Sequence, residues 1–325
     1  MKHKHFIFFL IIISQTFAIE YGNISVFPDT IRSQITIGRT DSSLTLTITN
    51  LSGRDLLWSI PNINQVISAA QFHNLALSSD NTVTGWGITS GWRDYGQSEI
   101  PEGLSNVIDV AAGDYHSLVL LEDGTVRAWG DNTYGQTQIP VRIKNIIAIS
   151  TGEYHNIVLH GDGTVSAWGS NKYGQTDIPS ELQSVIEISA GYYHNIALHE
   201  DGTVTAWGSN DYGQSNLPEE LDSVIAISAG VAHTLALHSD GTVTAWGSNG
   251  YGESNVPMDL DSSVTAVSAG GDHSLALLAD GTVRAWGVSS GWAFFGQTHI
   301  PVGLSDVFAV SSGFLKYSWN TPGLR

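Results

Sequence analysis

The chain of 325 residues has no cysteine and only 13 Lys and Arg against 31 Asp and Glu. Without cysteine there is no disulfide framework, no thiolate metal site and no cysteine nucleophile. A formal charge of −18 repels phosphates and speaks against a nucleic-acid binder. Charge is scarce altogether, at 14% of residues, where about 25% is usual. Beyond the N-terminus no segment is apolar enough to span a membrane, and no useful length shows the 3.6-residue periodicity of a helix. Disorder is excluded as well, since 42% of residues are hydrophobic. What the chain has in quantity is glycine, 35 residues, and aromatics, with 10 Trp, 11 Tyr and 10 Phe.

Residues 1–18 read as a secretion signal. Lys2, His3, Lys4 and His5 form a basic start, Phe6 to Ile13 is an unbroken apolar run, and Thr16-Phe17-Ala18 ends in a small residue suited to cleavage. The apolar run is far short of the roughly 20 residues of a spanning helix. Removal of the segment leaves 11 basic and 31 acidic residues, a charge of −20. The expected location is secreted or periplasmic, and an exported chain without cysteine must hold together without disulfides.

A repeat governs the rest. A tryptophan recurs at Trp86, Trp129, Trp168, Trp207, Trp246 and Trp286, at intervals of 43, 39, 39, 39 and 40. His73, His116, His155, His194, His233 and His273 keep the same period, as do Pro101, Pro140, Pro179, Pro218, Pro257 and Pro301. One unit reads V-I-A-I-S-A-G-x-x-H-x-L-A-L-x-x-D-G-T-V-x-A-W-G-S-N-x-Y-G-Q-x-x-x-P. Six copies are complete, and a seventh begins at Val307 and decays after Gly313. Each unit reads as short strands. Val224–Ala229 is small and β-branched, His233–His238 and Thr242–Trp246 follow, and a fourth short strand can end at Pro257. The Asp-Gly between the second and third strands predicts a two-residue hairpin with positive φ at both residues. Three to four antiparallel strands per 39 residues make a propeller blade. A β-solenoid is the alternative, but its coils are mostly parallel.

The unit resembles the repeat of the regulator of chromosome condensation family, through Gly-x-x-His-x-Leu-Ala-Leu, Asp-Gly-Thr-Val, Ala-Trp-Gly and Tyr-Gly-Gln over residues 62–313. The short Gly-Gln-x-x-x-Pro spacing looks closest to the secreted bacterial branch that includes a β-lactamase inhibitory protein. The resemblance implies an all-β, seven-bladed β-propeller built from roughly 39-residue repeats. It implies a fold and not an activity. The exchange activity on a small GTPase known in the family stands as an analogy only, and a secretion signal and acidic charge oppose it.

Propellers close their ring, often with a blade built from both termini. The domain reading is therefore 1–18 signal peptide, 19–60 N-terminal β segment and 61–325 propeller. Thr45 to Asn50 alternates as a half-exposed strand does, and Gly53 to Trp58 repeats the offset of Gly124 to Trp129. Either residues 43–60 form a hairpin completing blade seven, or residues 22–60 form a separate immunoglobulin-like piece.

Chemistry-bearing residues read mostly as structural. One histidine per blade cannot share a metal ion with the others, so these histidines are expected to bond within their blades. Asp123, Asp162, Asp201, Asp240 and Asp280 are turn residues, and the repeated tryptophans pack blade on blade. No catalytic set, cofactor loop or metal cluster stands out, so no enzyme is expected.

The candidate partner-binding residues lie elsewhere. The resemblance to the bacterial inhibitor points to aromatics at the Gly-x-x-His bends, here Phe72, Tyr115, Tyr154, Tyr192, Tyr193 and Phe314. Val231-Ala232 and Gly271-Asp272 interrupt that set. Two loops longer by four residues each carry an extra tryptophan, Trp92 followed by Arg93, and Trp292. Both would flank the closure on one rim, and Trp and Tyr are the usual interface anchors. The reading is a monomeric, exported, non-catalytic propeller that binds another protein through one face. Glycan binding or catalysis at paired axial carboxylates is the alternative.

Overall fold

In a computed structural model of the chain, the described residues are 22–23, 34–35, 66–78, 80–219, 221–260, 263–290, 296–305, 307 and 310–313. The proposed closing hairpin, Phe314 and Trp292 lie outside them. A short antiparallel pair, β1 (Gly22–Asn23) and β2 (Gln34–Ile35), precedes the repeats.

Six three-stranded antiparallel sheets follow. The first is β3 (Val66–Ala69), β4 (His73–Leu77) and β5 (Val83–Gly87). The second is β6 (Val107–Ala112), β7 (His116–Leu121) and β8 (Val126–Gly130). The third is β9 (Ile146–Thr151), β10 (His155–His160) and β11 (Val165–Gly169). The fourth is β12 (Val185–Ala190), β13 (His194–His199) and β14 (Val204–Gly208). The fifth is β15 (Val224–Ala229), β16 (His233–His238) and β17 (Val243–Gly247). The sixth is β18 (Val264–Ala269), β19 (His273–Leu278) and β20 (Val283–Gly287). The expected propeller-like all-β repeat is present, with three strands per unit. Among the described residues, the segment before the repeated proline forms no strand.

The expected count of seven blades is corrected to six sheets among the described residues. The seventh unit supplies no described strand, so the described sheets do not close a ring. Its remnants pack where a first strand would: Val307 and Val310 join Leu275, Leu277 and Val283 in one apolar cluster. The other clusters likewise lie between neighbouring sheets. Leu118 and Leu120 of the second meet Ile149, Val158 and Trp168 of the third.

The hairpin expectation is also corrected. In the hairpin turn of the second sheet only Gly124, and not Asp123, has positive φ, at 76°. Its N–H donates to the Leu121 carbonyl at 2.9 Å, and the Leu121 N–H to the Thr125 carbonyl at 2.8 Å. Asp123 keeps negative φ because its carboxylate accepts from the Thr125 N–H at 2.9 Å and hydroxyl at 2.6 Å. This is an Asx-braced turn closed by a left-handed glycine. Where the first unit lacks that glycine, Asn81 takes the position at φ 63°.

Polar bonds join the sheets. The His116 Nε2 meets Asn156 Oδ1 of the next sheet at 2.8 Å, and His155 meets Asn195 at 2.7 Å. His73, His194 and His233 reach Ser117, Thr234 and Ser274 in the same way. These five histidines therefore bond between blades and not within them, whereas His160, His199 and His238 bond within their own sheets to Ser166, Thr205 and Thr244. Asn156 Nδ2 also donates to the Gln136 carbonyl, which accepts the Trp168 indole N–H at 3.0 Å as well. Nearer the axis, Ser150 Oγ accepts the N–H of Ala190, and Ser189 Oγ that of Ala229, each at 2.9 Å. First strands of the sheets, with residues 310–312, line an axial cavity of about 120 Å³.

Candidate functional site

The bends between first and second strands gather at one end of the axis, because consecutive bends bond to one another. The Glu153 N–H donates to the Tyr192 carbonyl at 3.3 Å, Tyr192 N–H to Gly230 at 3.2 Å, Val231 N–H to Gly270 at 3.0 Å and Gly271 N–H to Gly313 at 3.2 Å. Every described bend but the first, which opens with Ala70, opens with a glycine for a steric reason. A Cβ on Gly113 would stand 2.6 Å from His116 Nδ1 and 2.8 Å from the Gly152 carbonyl oxygen. The glycine lets the imidazole fold under its own bend and lets the next bend approach.

The two following positions point the face. Phe72 and Tyr115 lie 4.9 Å apart between ring centroids, and Tyr115 stacks on Tyr154 at 5.3 Å with an interplanar angle of 7°. Tyr192 meets Tyr193 edge-on at 4.7 Å. Tyr192 is buried while Phe72, Tyr115, Tyr154 and Tyr193 are half-buried. The structure thus brings the aromatics of four of the six described bends onto one face, as an arc. It stops at Val231 and Ala232, which pack against Tyr192 without adding a ring.

A second set of rings went unread in the sequence. The tyrosine of each of the first three Tyr-Gly-Gln loops leans on the bend aromatic of the following blade: Tyr95 on Tyr115 at 5.8 Å, Tyr134 on Tyr154 at 4.9 Å and Tyr173 on Tyr193 at 4.5 Å. The glutamine fixes them. Gln136 is buried, and its Oε1 accepts the Tyr134 N–H at 2.9 Å. The bends that follow Tyr212 and Tyr251 carry Ala232 and Asp272 at the position of the ring; Tyr95, Tyr134, Tyr212 and Tyr251 are all exposed. The regular spacing of Tyr-Gly-Gln was the available signal, and it read as a turn.

Under the arc lie two carboxylates at the variable bend position, Asp114 and Glu153. The hydroxyls of Tyr192 and Tyr193 bond to Glu153. Asp114 is fully buried; its Oδ1 accepts the Gln71 N–H at 3.3 Å and its Oδ2 has no hydrogen-bond partner. Burial, and then the neighbouring Glu153, push the Asp114 carboxyl up to about 8. Burial also raises all four bend tyrosines, so they stay neutral.

The long loop after Trp86 reaches this face. Trp92 is 79% exposed. The Arg93 guanidinium carbon stands 4.5 Å from the Phe72 ring centroid and 4.2 Å from that of Trp92. Of the extra-loop residues, Trp92 and Arg93 therefore join the arc, and Trp292 lies outside the described residues. Among the described residues no group of three or more His, Asp or Glu is placed to hold a metal ion, and no helix is long and apolar enough to cross a membrane.

Residues 107–136, 146–175, 185–214, 224–253 and 264–297 match the regulator of chromosome condensation (RCC1) repeat. No curated protein matches the chain. Among solved structures, the chain is similar to Prp20p from Saccharomyces cerevisiae, described with its binding properties to Gsp1p and histones, at 22% identity over 72% of each chain and a TM-score of 0.57. Yeast Prp20 bound to Kap60 matches at 23% identity over 72% of this chain and 70% of that one, TM-score 0.56. The CRINKLY WD40 ectodomain of the Arabidopsis thaliana receptor kinase ACR4 matches at 21% identity over 76% and 89%, TM-score 0.58. These likenesses carry the fold.

Proposed function

The chain carries repeats of the RCC1 family, and from that premise we propose that it is an exported, non-catalytic, monomeric propeller that binds another protein through the bend face, as a scaffold or inhibitor. The observation that supports this reading is the aromatic arc: Phe72, Tyr115, Tyr154, Tyr192 and Tyr193 with Tyr95, Tyr134 and Tyr173 set against them on one face. Large rigid rings at a surface cost little conformational entropy and anchor interfaces. Prp20 is itself described with protein partners, though its partners are not transferred at such identity.

The finer architecture belongs to the same proposal. Gly313 accepts from Gly271, and a Cβ on it would stand 3.2 Å from the Ala70 carbonyl oxygen. Ala70 opens the first bend, so residue 313 bridges the sixth bend and the first. A seventh blade, completed by residues 43–60, fits that place.

Glycan binding and catalysis are less well supported. Asp114 and Glu153 are paired carboxylates, but rings cover them and Asp114 has no exposed surface. The axial cavity of about 120 Å³ is small beside the roughly 300–1,000 Å³ of ligand pockets.

The test is capture of partners from the exported proteins of the source by the mature chain and by a Tyr134→Ala/Tyr154→Ala variant. Binding lost in the variant, with its melting temperature kept within a few degrees, supports the reading. Undiminished capture overturns it.

A further inference from the structure

The end of the sheets opposite the bends carries a second apolar feature. Each first strand starts there and runs toward its bend, and each second strand returns to an Asp-Gly turn. Near its start the first strand holds one residue too many. Val185 pairs with His199 and Glu187 with Leu198, so Ile186 between them has no partner. Ile108, Ile147 and Ile225 stand at the same bulge of their own sheets. A bulge re-aims its extra side chain out of the ladder. Ile147 is 57% exposed, Ile186 41% and Ile108 36%. The fold does not call for isoleucine at that point, because the sixth sheet has an exposed Thr265 at its bulge. First strands of neighbouring sheets run side by side, β6 by β9, β9 by β12 and β12 by β15, so the isoleucines make a row.

Exposed acids border the row. The Val185 N–H donates to the Gly163 carbonyl at 3.1 Å and the Val224 N–H to the Gly202 carbonyl at 3.3 Å. Ile186 and Ile225 therefore follow residues bonded to the turns of Asp162 and Asp201. Those two carboxylates are exposed, and hydrogen bonds from Thr164 and Thr203 hold them below the usual carboxylate range. Two residues before Ile186, Ser184 lines a hollow of about 520 Å³ that Glu181, His199, Glu200 and Asp201 also line. Residues 173–283 hold 15 Asp and Glu and no Lys or Arg, so the fourth and fifth sheets have no base of their own. We propose that Ile147, Ile186 and Ile225, with this acidic border, dock a segment of a protein partner in which apolar side chains stand beside lysine or arginine. Apolar patches rimmed by polar residues mark interaction sites, and the border selects the charge of the occupant. A second copy of this chain, or an anionic membrane, would bring acid against acid. The row lies at the far end of the strands from the tyrosine arc and goes beyond the function proposed above: it gives the propeller a second face for a second partner.

The experiment titrates the full chain by calorimetry with the peptide Lys-Leu-Lys-Leu-Lys-Leu-Lys and with its analogue Lys-Ser-Lys-Ser-Lys-Ser-Lys. The expected result is saturable binding of the leucine peptide, with the serine peptide weaker by about tenfold or more. Ile147→Thr/Ile186→Thr, which copies the residue of the sixth sheet, weakens the leucine peptide by about tenfold and leaves the melting temperature within a few degrees. Glu181→Gln/Glu200→Gln is a second variant and weakens it several-fold. Equal binding of the two peptides, or undiminished binding by the isoleucine variant, overturns the inference. So does a dimer in sedimentation velocity that the isoleucine variant returns to monomer, or binding to phosphatidylglycerol vesicles that the same variant abolishes. The Tyr134→Ala/Tyr154→Ala variant keeps the parent's affinity for the leucine peptide; a loss there places the peptide on the arc and overturns the second face. Capture through the tyrosine arc persists if only this inference fails, and the isoleucine row persists if only the arc fails.

Discussion

At the scale of single residues, the buried titratable groups pull stability in opposite directions with pH. His73, His194 and His233 are lowered by burial from 6.5 to about 3, and His116, His155 and His273 to about 4. Between about pH 4 and 6.5 the unfolded chain therefore binds protons at six histidines that the folded chain leaves neutral, and stability rises with pH. The buried acids act the other way. Asp114 and Glu187 are raised by burial to about 8 and Asp109 to about 7. From about pH 4 upward the unfolded chain has released these protons and the folded chain still holds them, so their contribution is lost as pH rises through 7 to 8. Six groups outweigh three below 6.5, and only the acids remain above it. Stability is thus expected to peak near pH 6.5 and fall on both sides. Urea denaturation across pH 4 to 9 checks this. Asp114→Asn should flatten the alkaline limb and steepen the acid limb, because it removes an opposing group that acts from about pH 4 to 8; an unchanged alkaline limb would refute the assignment.

At the scale of elements, each sheet is legible in the sequence because its pattern is local, and its attachments are not because they lie one repeat away. Alternating apolar residues and Asp-Gly were enough to place β6, β7 and β8. The partner of His116 is Asn156, 40 residues on, and a local reading put that bond inside the blade. A signal existed in the polar residue after each histidine, Asn74, Ser117, Asn156, Asn195, Thr234 and Ser274, which has no place in a buried apolar strand unless it has a partner. The bend aromatics Phe72, Tyr115, Tyr154, Tyr192 and Tyr193 were legible through family resemblance. Asp114 and Glu153 were not, because they occupy a bend position where Gln71, Tyr192 and Val231 stand in other units, so repetition says nothing about it. Asn156→Leu tests the cross-blade latch. The Gln136 carbonyl keeps the Trp168 indole N–H, but the His116 N–H loses its only acceptor inside the protein. The expected loss is about 1–3 kcal/mol in urea denaturation. An Asn156→Leu variant as stable as the parent would mean that the latch contributes nothing.

At the scale of the whole molecule, stability in a repeat array is a sum over neighbouring units, so an open end exposes one interface's worth of apolar surface. The described sheets show which residue marks that end. Trp168, Trp207, Trp246 and Trp286 are 6–8% exposed, each capped by a carbonyl of the preceding unit, whereas Trp86 of the first sheet is 45% exposed. A ring completed by residues 43–60 would give Trp86 the neighbour that the other tryptophans have. It would also remove two sheet edges that otherwise invite association. Deleting residues 19–60 should then lower the melting temperature by more than about 5 °C. It should also make one additional tryptophan accessible to iodide quenching, and Trp86→Phe should abolish that increment. If the deletion leaves both the melting temperature and the quenchable fraction unchanged, residues 43–60 do not close the ring. The immunoglobulin-like alternative for the N-terminal segment would then be the one to pursue, because a separately folded piece can be removed without uncovering Trp86.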